Sequence, residues 1–431
     1  MDNRRTSNQR TKQQSHSNSR IDIPILTVVA ILAVVSMLTI FSTTYLQHSN
    51  ASLMPTLMQG IWYVVGFILM FIAMQFDHKS LYDFAVIAYF IGLALLILVL
   101  IFYDRELAVT NGARSWFSIG PFSFQPSEIM KIAYILMMGR LVSQYNHQGS
   151  QDQIDAMSRK DRIRYDFSFL VKLFFWTLPP LLLVILQNDL GTTLVFMVIF
   201  VGVVLVSGIT WHIIAPVGLF LALIAVIVLL LVFYNRDFLE FLGFQPYQFA
   251  RIDSWLNPFG NTANESYQLA QSLKAIGSGG MFGKGLGQFE VYVPVRESDM
   301  IFATIGENFG FIGGAVLILL YFILIYQMIS ISYQSHDAFY ATMVAGIVMM
   351  LTFHIVENIG MSVGLLPLTG IPLPFISMGG TSLINNMLSV GLVLSIKYQE
   401  EATASDLEKN WLVKIVRKLN QLLPAQLREE D

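Results

Sequence analysis

Apolar runs longer than about 18 residues recur along this chain, and a run of that length is read as a membrane-crossing helix. At about 1.5 Å of rise per residue, ten stretches are long enough to span a bilayer: residues 25–45, 56–75, 81–103, 127–144, 167–187, 190–208, 211–234, 300–325, 338–362 and 376–396. Of the 431 residues, 55% are hydrophobic and 13% charged, about half the charge of an ordinary soluble domain. The runs are continuously apolar and do not alternate, which excludes an outer-membrane barrel. The fold class expected is therefore all-α, a polytopic membrane protein of about ten transmembrane helices. A soluble fold and a nucleic-acid-binding role are excluded. The chain has no cysteine, so disulfides, thiolate metal sites and a cysteine nucleophile are excluded as well.

Lysine and arginine set the expected orientation. With the N-terminus inside, the segments facing the cytoplasm carry Arg4, Arg5, Arg10, Lys12, Arg20, Lys79, Arg159, Lys160, Arg162, Arg164, Lys397, Lys409, Lys414, Arg417, Lys418 and Arg428. The short outer loops carry Arg105 and Arg114. Both termini are expected in the cytoplasm, with a large extracellular loop, 235–299, between spans seven and eight. Residues 1–20 read as a disordered cytoplasmic tail, 21–398 as the membrane domain, and 399–431 as a cytoplasmic tail. Within that tail, 406–423 places Leu407, Trp411, Leu412, Ile415, Leu419 and Leu422 on one face of an interfacial helix. Pro179-Pro180 is expected to kink span five.

Ionisable groups within spans mark functional candidates. Glu128 and Lys131 stand three residues apart, so they can pair on one helical face. That pairing serves either mutual neutralisation or a functional cavity. Asp189, in the turn before span six, either caps that helix or takes part in chemistry. Lys172 reads as a snorkelling residue. In the outer loop, glycines at 277, 279, 280, 283, 285 and 287 surround Lys274 and Lys284. Such a stretch is either an anion cradle of backbone amides or a flexible turn. It is not a nucleotide P-loop, because Ser278 replaces the required glycine and Gly285 replaces the Ser or Thr. Asp299 lies where the polar loop meets span eight. A half-buried carboxylate there can become a proton acceptor, or simply favour a helix N-terminus.

Five motifs in order are similar to those of the SEDS family, which includes RodA, FtsW and SpoVE. They are Asn111-Gly112-Ala113-Arg114-Ser115-Trp116 with Gly120-Pro121-Phe122-Ser123-Phe124-Gln125-Pro126-Ser127-Glu128; the 187–192 turn; the 275–287 glycine loop; 299–307; and 358–382. Within the family the chain looks most like RodA of Gram-positive bacteria, on its NIGM and YVP…DMIF stretches. Asn188, Met378, Glu297-Ser298 and Asn308 stand where the family usually has Pro, Tyr, His-Thr and Glu.

The resemblance implies a peptidoglycan glycosyltransferase of the bacterial cytoplasmic membrane. Such an enzyme polymerises lipid II into β-1,4 glycan strands on the outer face, for cell elongation and shape. Asp299 aligns with the family's essential aspartate and is expected to be the catalytic base. Arg114, Lys274, Lys284 and Arg296 are candidates to meet the departing diphosphate. Glu128 and Lys131 match a polar pair that shapes the cavity, and Asp189, Ser377 and Ser382 are candidate substrate contacts. No cofactor is implied with certainty, and a divalent cation at the diphosphate stays open. Expected partners are lipid II and the nascent glycan strand, a class B penicillin-binding protein acting as transpeptidase, and the elongation machinery. The alternatives are a lipid II flippase, a non-catalytic scaffold, or a division or sporulation paralogue of the FtsW or SpoVE type.

Overall fold

The structure is a computed structural model that describes residues 21–46, 52–120, 122–148, 157–241, 246–260, 265–335 and 337–400. The expected tail 1–20 and the interfacial helix at 406–423 lie outside these residues. Among the described residues ten long helices run where ten apolar runs were read. They are α1 (Ile23–Phe41, extended by a π-helical turn, Ser42–Leu46), α2 (Met54–Ala73), α3 (His78–Phe102), α5 (Pro126–Gln148), α6 (Arg159–Leu186), α7 (Leu190–Val206), α8 (Trp211–Tyr234), α12 (Ile301–Ser335), α13 (Ala338–Ser362) and α14 (Gly380–Glu400). Seven of the ten are long and apolar enough to cross a membrane by length and composition alone. Of the others, α7 is short, and α5 and α14 carry polar residues on faces buried within the bundle.

Aspartates set several starts, each accepting from a backbone N–H of the first turn. Asp22 caps α1, Asp77 caps α3, Asp189 caps α7 and Asp337 caps α13. One end of the bundle joins the two ends of the membrane domain. Lys397 Nζ lies 3.1 Å from Asp22 Oδ2, and Gln399 Nε2 donates to Gln75 O at 2.9 Å. The opposite end, here the loop end, carries α4 (Arg105–Asn111), the hairpin β1 (Phe117–Ile119) and β2 (Phe122–Phe124), and the long 235–300 connection. Among its described residues that connection holds α9 (Arg236–Phe241), α10 (Pro246–Leu256) and α11 (Glu265–Gly279).

Helix α6 is continuous through Pro179 and Pro180. Pro180 has no N–H for the carbonyl of Trp176, four residues back. The hydroxyl of Tyr89 on α3 donates to that oxygen at 2.5 Å and so replaces the missing bond.

The glycine loop meets a break in α12, where Gly310 has φ 64° and ψ −161°. The break frees peptide groups on both of its sides, and the loop supplies partners for them. Phe311 N donates to Gly280 O at 2.9 Å and Ile312 N to Met281 O at 3.2 Å. In return, Lys284 N donates to Glu307 O and Gly285 N to Asn308 O, both at 3.0 Å. Two backbones approach this closely only without side chains between them. A Cβ on Gly283 (φ 76°) would run into the carbonyl of Asn308, and one on Gly310 into the backbone of Gly283 and Met281. The amides at 284 and 285 are therefore committed to carbonyl oxygens, which removes them from the anion cradle considered for this stretch.

Gly283→Ala should destabilise the protein by about 1–3 kcal/mol through its positive φ and the backbone overlap. Gly218→Ala, at a helical position on α8 with nothing within 4 Å, should be neutral or slightly stabilising. Thermal unfolding of the two purified variants in the same detergent checks the contrast.

Candidate active site

Between the glycine loop and α12, residues 288–300 cross the loop end of the bundle, and 294–300 form a run of tight turns. Asp299 stands one residue before the end of that run, two residues before the helix, and is half-buried. Removal of its carboxyl from water raises its pKa to about 7, with a further push from the negative charge of Glu297. A hydrogen bond from Ser298 and the positive charge of Arg251, on α10, act in the opposite direction and are outweighed.

The floor of this site is the segment from Val363 to Gly379, which returns into the bundle between α13 and α14. Pro367, Pro372 and Pro374 bar it from helix formation. Non-helical backbone buried among apolar spans must find hydrogen-bond partners inside the protein. Four consecutive carbonyls find them on side chains of three spans. Tyr321 on α12 donates to Pro374 O at 2.5 Å, Tyr63 on α2 to Phe375 O, Ser36 on α1 to Ile376 O at 2.8 Å, and Gln59 on α2 to Ser377 O at 3.3 Å. This segment in turn grips the one bearing the acid. Ser377 Oγ donates to Ser298 O at 2.6 Å, and Met378 N donates to Glu297 O at 2.9 Å. Gly370 faces the acid itself, since a Cβ there would sit 3.3 Å from Asp299 Oδ2.

A buried carboxylate braces the other side. Glu307, on the first turns of α12, is completely buried. It accepts from the backbone N–H groups of Glu290 (2.9 Å) and Val291 (3.2 Å) and from Arg296 Nη2 (3.0 Å). Arg296 is 2% exposed, gives a second hydrogen bond to Val291 O at 2.6 Å, and lies over the Phe289 ring with its guanidinium carbon 4.3 Å from the centroid. Lys284 Nζ sits 2.7 Å from Glu290 Oε2 and 3.6 Å from Glu307 Oε1. Two of the cations expected to face an outer anion are thus engaged. Arg296 is sealed inside, and Lys284 is paired and half-buried, because an unpaired Glu307 charge in this setting would be costly.

The remaining candidates are dispersed. Ser377 was expected to touch substrate, but its hydroxyl is taken up by Leu373 N (2.8 Å) and Ser298 O. Ser382 stays half-buried near Gly379 O. Lys274 is exposed on α11 and Arg114 is exposed beside α4. Arg114 lies over the Tyr103 ring, 5.4 Å from its centroid, and is anchored by its own N–H to Gln187 O at 2.8 Å. With Arg105 and Asn188 it lines an open pocket of about 360 Å³ at the loop end. Asp189 caps α7 through Thr192 N (3.0 Å) and also accepts from Gln125 Nε2 at 2.9 Å, joining the hairpin to the α6–α7 turn. Glu128 and Lys131 form a buried ion pair at 2.9 Å, and Lys131 Nζ also approaches His354 Nε2 at 3.4 Å. Arg251 and His354 carried no signal of their own in the sequence beyond lying in the outer loop or beside a motif, and Asn358 opened the 358–382 motif with no role assigned to it. Among the described residues, no three His, Asp or Glu side chains gather where they could hold a metal ion.

The fold is that of a multi-pass membrane protein whose loop end presents a half-buried aspartate. A family model for FtsW, RodA and SpoVE, described as a cell cycle protein, matches residues 21–402, and the chain belongs to that family. Stage V sporulation protein E of Bacillus subtilis (strain 168) is 34% identical over 335 residues, covering 77% of this chain and 84% of its own. Peptidoglycan glycosyltransferase RodA of Treponema pallidum (strain Nichols) is 27% identical over 452 residues, covering 89% of this chain and 98% of its own. Among solved structures, a chain from a peptidoglycan synthase complex that coordinates polymerization and crosslinking superposes with a TM-score of 0.69 at 25% identity, covering 89% of this chain and 99% of that one.

Glu307→Gln keeps an oxygen for the 290 and 291 amides but strands the Arg296 charge, so it should cost about 3–5 kcal/mol. Adding Arg296→Met to Glu307→Gln should recover part of that loss. A single variant as stable as the parent in thermal unfolding would show that the pair is not the brace described.

Proposed function

We propose that this chain polymerises lipid II into β-1,4-linked glycan strands at the outer face of the bacterial cytoplasmic membrane, with Asp299 as the general base. It is a peptidoglycan glycosyltransferase, the activity by which its relatives are named. The loop end is assigned to the outside by the excess of Lys and Arg in the segments at the other end.

The donor sugar is α-linked to undecaprenyl diphosphate and the product bond is β, so one in-line displacement with inversion suffices. The acceptor 4-hydroxyl oxygen bonds to the donor anomeric carbon as the bond from that carbon to the diphosphate oxygen breaks. The hydroxyl proton passes to Asp299, and the electron pair leaves with the diphosphate. A base is most effective when its pKa lies near the working pH. The observation that carries the reading is therefore a carboxyl at the loop end, half-shielded from water, with its pKa raised to about 7. Arg114 and Lys274 remain exposed at this end to meet the diphosphate, while Arg251 stands nearer the acid. The negative charge developing on the leaving group calls for cations of this kind.

The assignment to cell elongation follows the RodA-like NIGM and YVP…DMIF stretches. Division or sporulation is the alternative, since relatives named FtsW and SpoVE match as well. A class B penicillin-binding protein is the proposed partner, because the related chain belongs to a complex that also crosslinks. A flippase would instead route lipid II past polar groups near the midplane. The buried Glu128–Lys131 pair, with Lys131 2% exposed, is a closed contact of that kind.

Purified protein incubated with lipid II should yield moenomycin-resistant glycan strands on a gel, and Asp299→Asn should reduce synthesis at least about 100-fold. The rate should rise with pH through about 7, because only the ionised carboxylate accepts a proton. The folded-state pKa lies above the ordinary 3.8. The folded state thus binds more protons between the two values, and this group's contribution to stability is lost as pH rises through that window. Asp299→Asn should therefore be no less stable than the parent at pH 8. Full synthesis by Asp299→Asn, or scrambling of labelled lipid II in liposomes without synthesis, would overturn the assignment.

A further inference from the structure

A role for Asn358 follows from Asp299 being the base. We infer that Asn358 is the positioning residue of that base, fixing the backbone of Asp299 against the returning 371–378 segment so that the carboxyl is held at the mouth of the site.

Asn358 lies one turn before the end of α13 and is completely buried. Its amide nitrogen makes two hydrogen bonds, both at 2.8 Å, to Asp299 O and to Ile371 O. A primary amide nitrogen carries two N–H groups, so both donors are spent on carbonyls from two different segments. Asn358 Oδ1 is buried and has no hydrogen-bond partner among the described residues, so there the side chain is held in this place by its two donors. Aspartate and leucine match its shape without the pair of donors, and glutamine adds a methylene to a site with no room exposed.

The bond to Asp299 completes a series. The carbonyls of Glu297, Ser298 and Asp299, three in a row, are taken by Met378 N (2.9 Å), Ser377 Oγ (2.6 Å) and Asn358 Nδ2 (2.8 Å). The first two donors belong to the returning segment, and Asn358 ties that segment to the third carbonyl through Ile371 O. With every carbonyl of the run anchored, the peptide planes on both sides of the Asp299 Cα cannot rotate, and the side chain leaves the backbone in one direction. That direction is toward Gly370, where the absence of a Cβ leaves room for Oδ2. The charged groups facing Asp299 are Glu297 on its own segment and Arg251 on α10. Glu357 of α13 is tied to Thr369, beside Gly370, by a 2.9 Å hydrogen bond.

A loosened clasp moves the carboxyl off line and lets water reach it, and a displacement of about 1 Å near reacting atoms is enough to cost about 100-fold. The test uses the full-length protein with lipid II, comparing Asn358→Leu, which has neither donor, with Asn358→Asp, which has at most one. The expected result is a fall in kcat of about 10–100-fold for Asn358→Leu and a smaller one for Asn358→Asp, with KM within about twofold. The acid limb of the pH–rate profile should also move below 7 as the carboxyl regains water. Parent-like kcat in Asn358→Leu, or a loss of kcat with the acid limb unmoved, overturns the inference. If Asn358→Leu does not fold, Ser377→Ala is read in the same way, since it removes the neighbouring anchor. Activity retained by Asp299→Asn would instead refute the base assignment, which keeps the two failures apart.

Discussion

A peptide group inside an apolar bundle must be hydrogen-bonded, and the site of this protein is arranged around a stretch of backbone that cannot meet that need by forming a helix. The prolines at 367, 372 and 374 keep the returning segment irregular, yet it sits among spans that offer no water. Its carbonyls at 374, 375, 376 and 377 are received by Tyr321, Tyr63, Ser36 and Gln59. Three helices distant in sequence are thereby committed to one loop. The loop, once fixed, serves as the anvil on which residues 297–299 are held.

The same rule recurs elsewhere on a smaller scale. Pro180 orphans a carbonyl in α6, and Tyr89 reaches across from α3 to fill it. Gly310 interrupts α12, and the glycine loop lends its own peptide groups to the gap. In each case a local break in regular structure is repaired by a tertiary contact, so the break becomes a joint between elements. Glu307 does with charge what these do with dipoles: one buried carboxylate collects two amides and a guanidinium and so ties 290–296 to the start of α12. The region before Asp299 is consequently held on both sides, as the proposed alignment of a hydroxyl with an anomeric carbon requires.

In its proposed role Asp299 trades stability for chemistry. A carboxyl with its pKa near 7 is a worse contributor to folding above that pH than an ordinary surface acid, because its ionised form lacks part of its hydration. The surrounding clasp holds it there nonetheless. Arg251 and Glu297 pull in opposite directions, and shielding from water decides the balance.

The number and approximate placement of the spans, the candidate cap at Asp189 and the Glu128–Lys131 pair were legible from residue order, because hydropathy, N-cap chemistry and i,i+3 spacing act over a few residues; the caps at Asp22, Asp77 and Asp337 came from the structure. Asp299 could be named only through motif resemblance, since nothing local separates a reactive acid from one that favours a helix start. What the chain order could not reveal is which partner each polar group takes. Arg296 and Lys284 looked like cations facing outward and turned out to be engaged by Glu307 and Glu290. Ser377 looked like a substrate contact and is a backbone clasp. The glycine loop, readable as an anion cradle or a flexible turn, commits its amides at 284 and 285 to carbonyls beside the break in α12. Those outcomes depend on contacts between residues tens to hundreds of positions apart, and only the folded bundle brings them within hydrogen-bond reach.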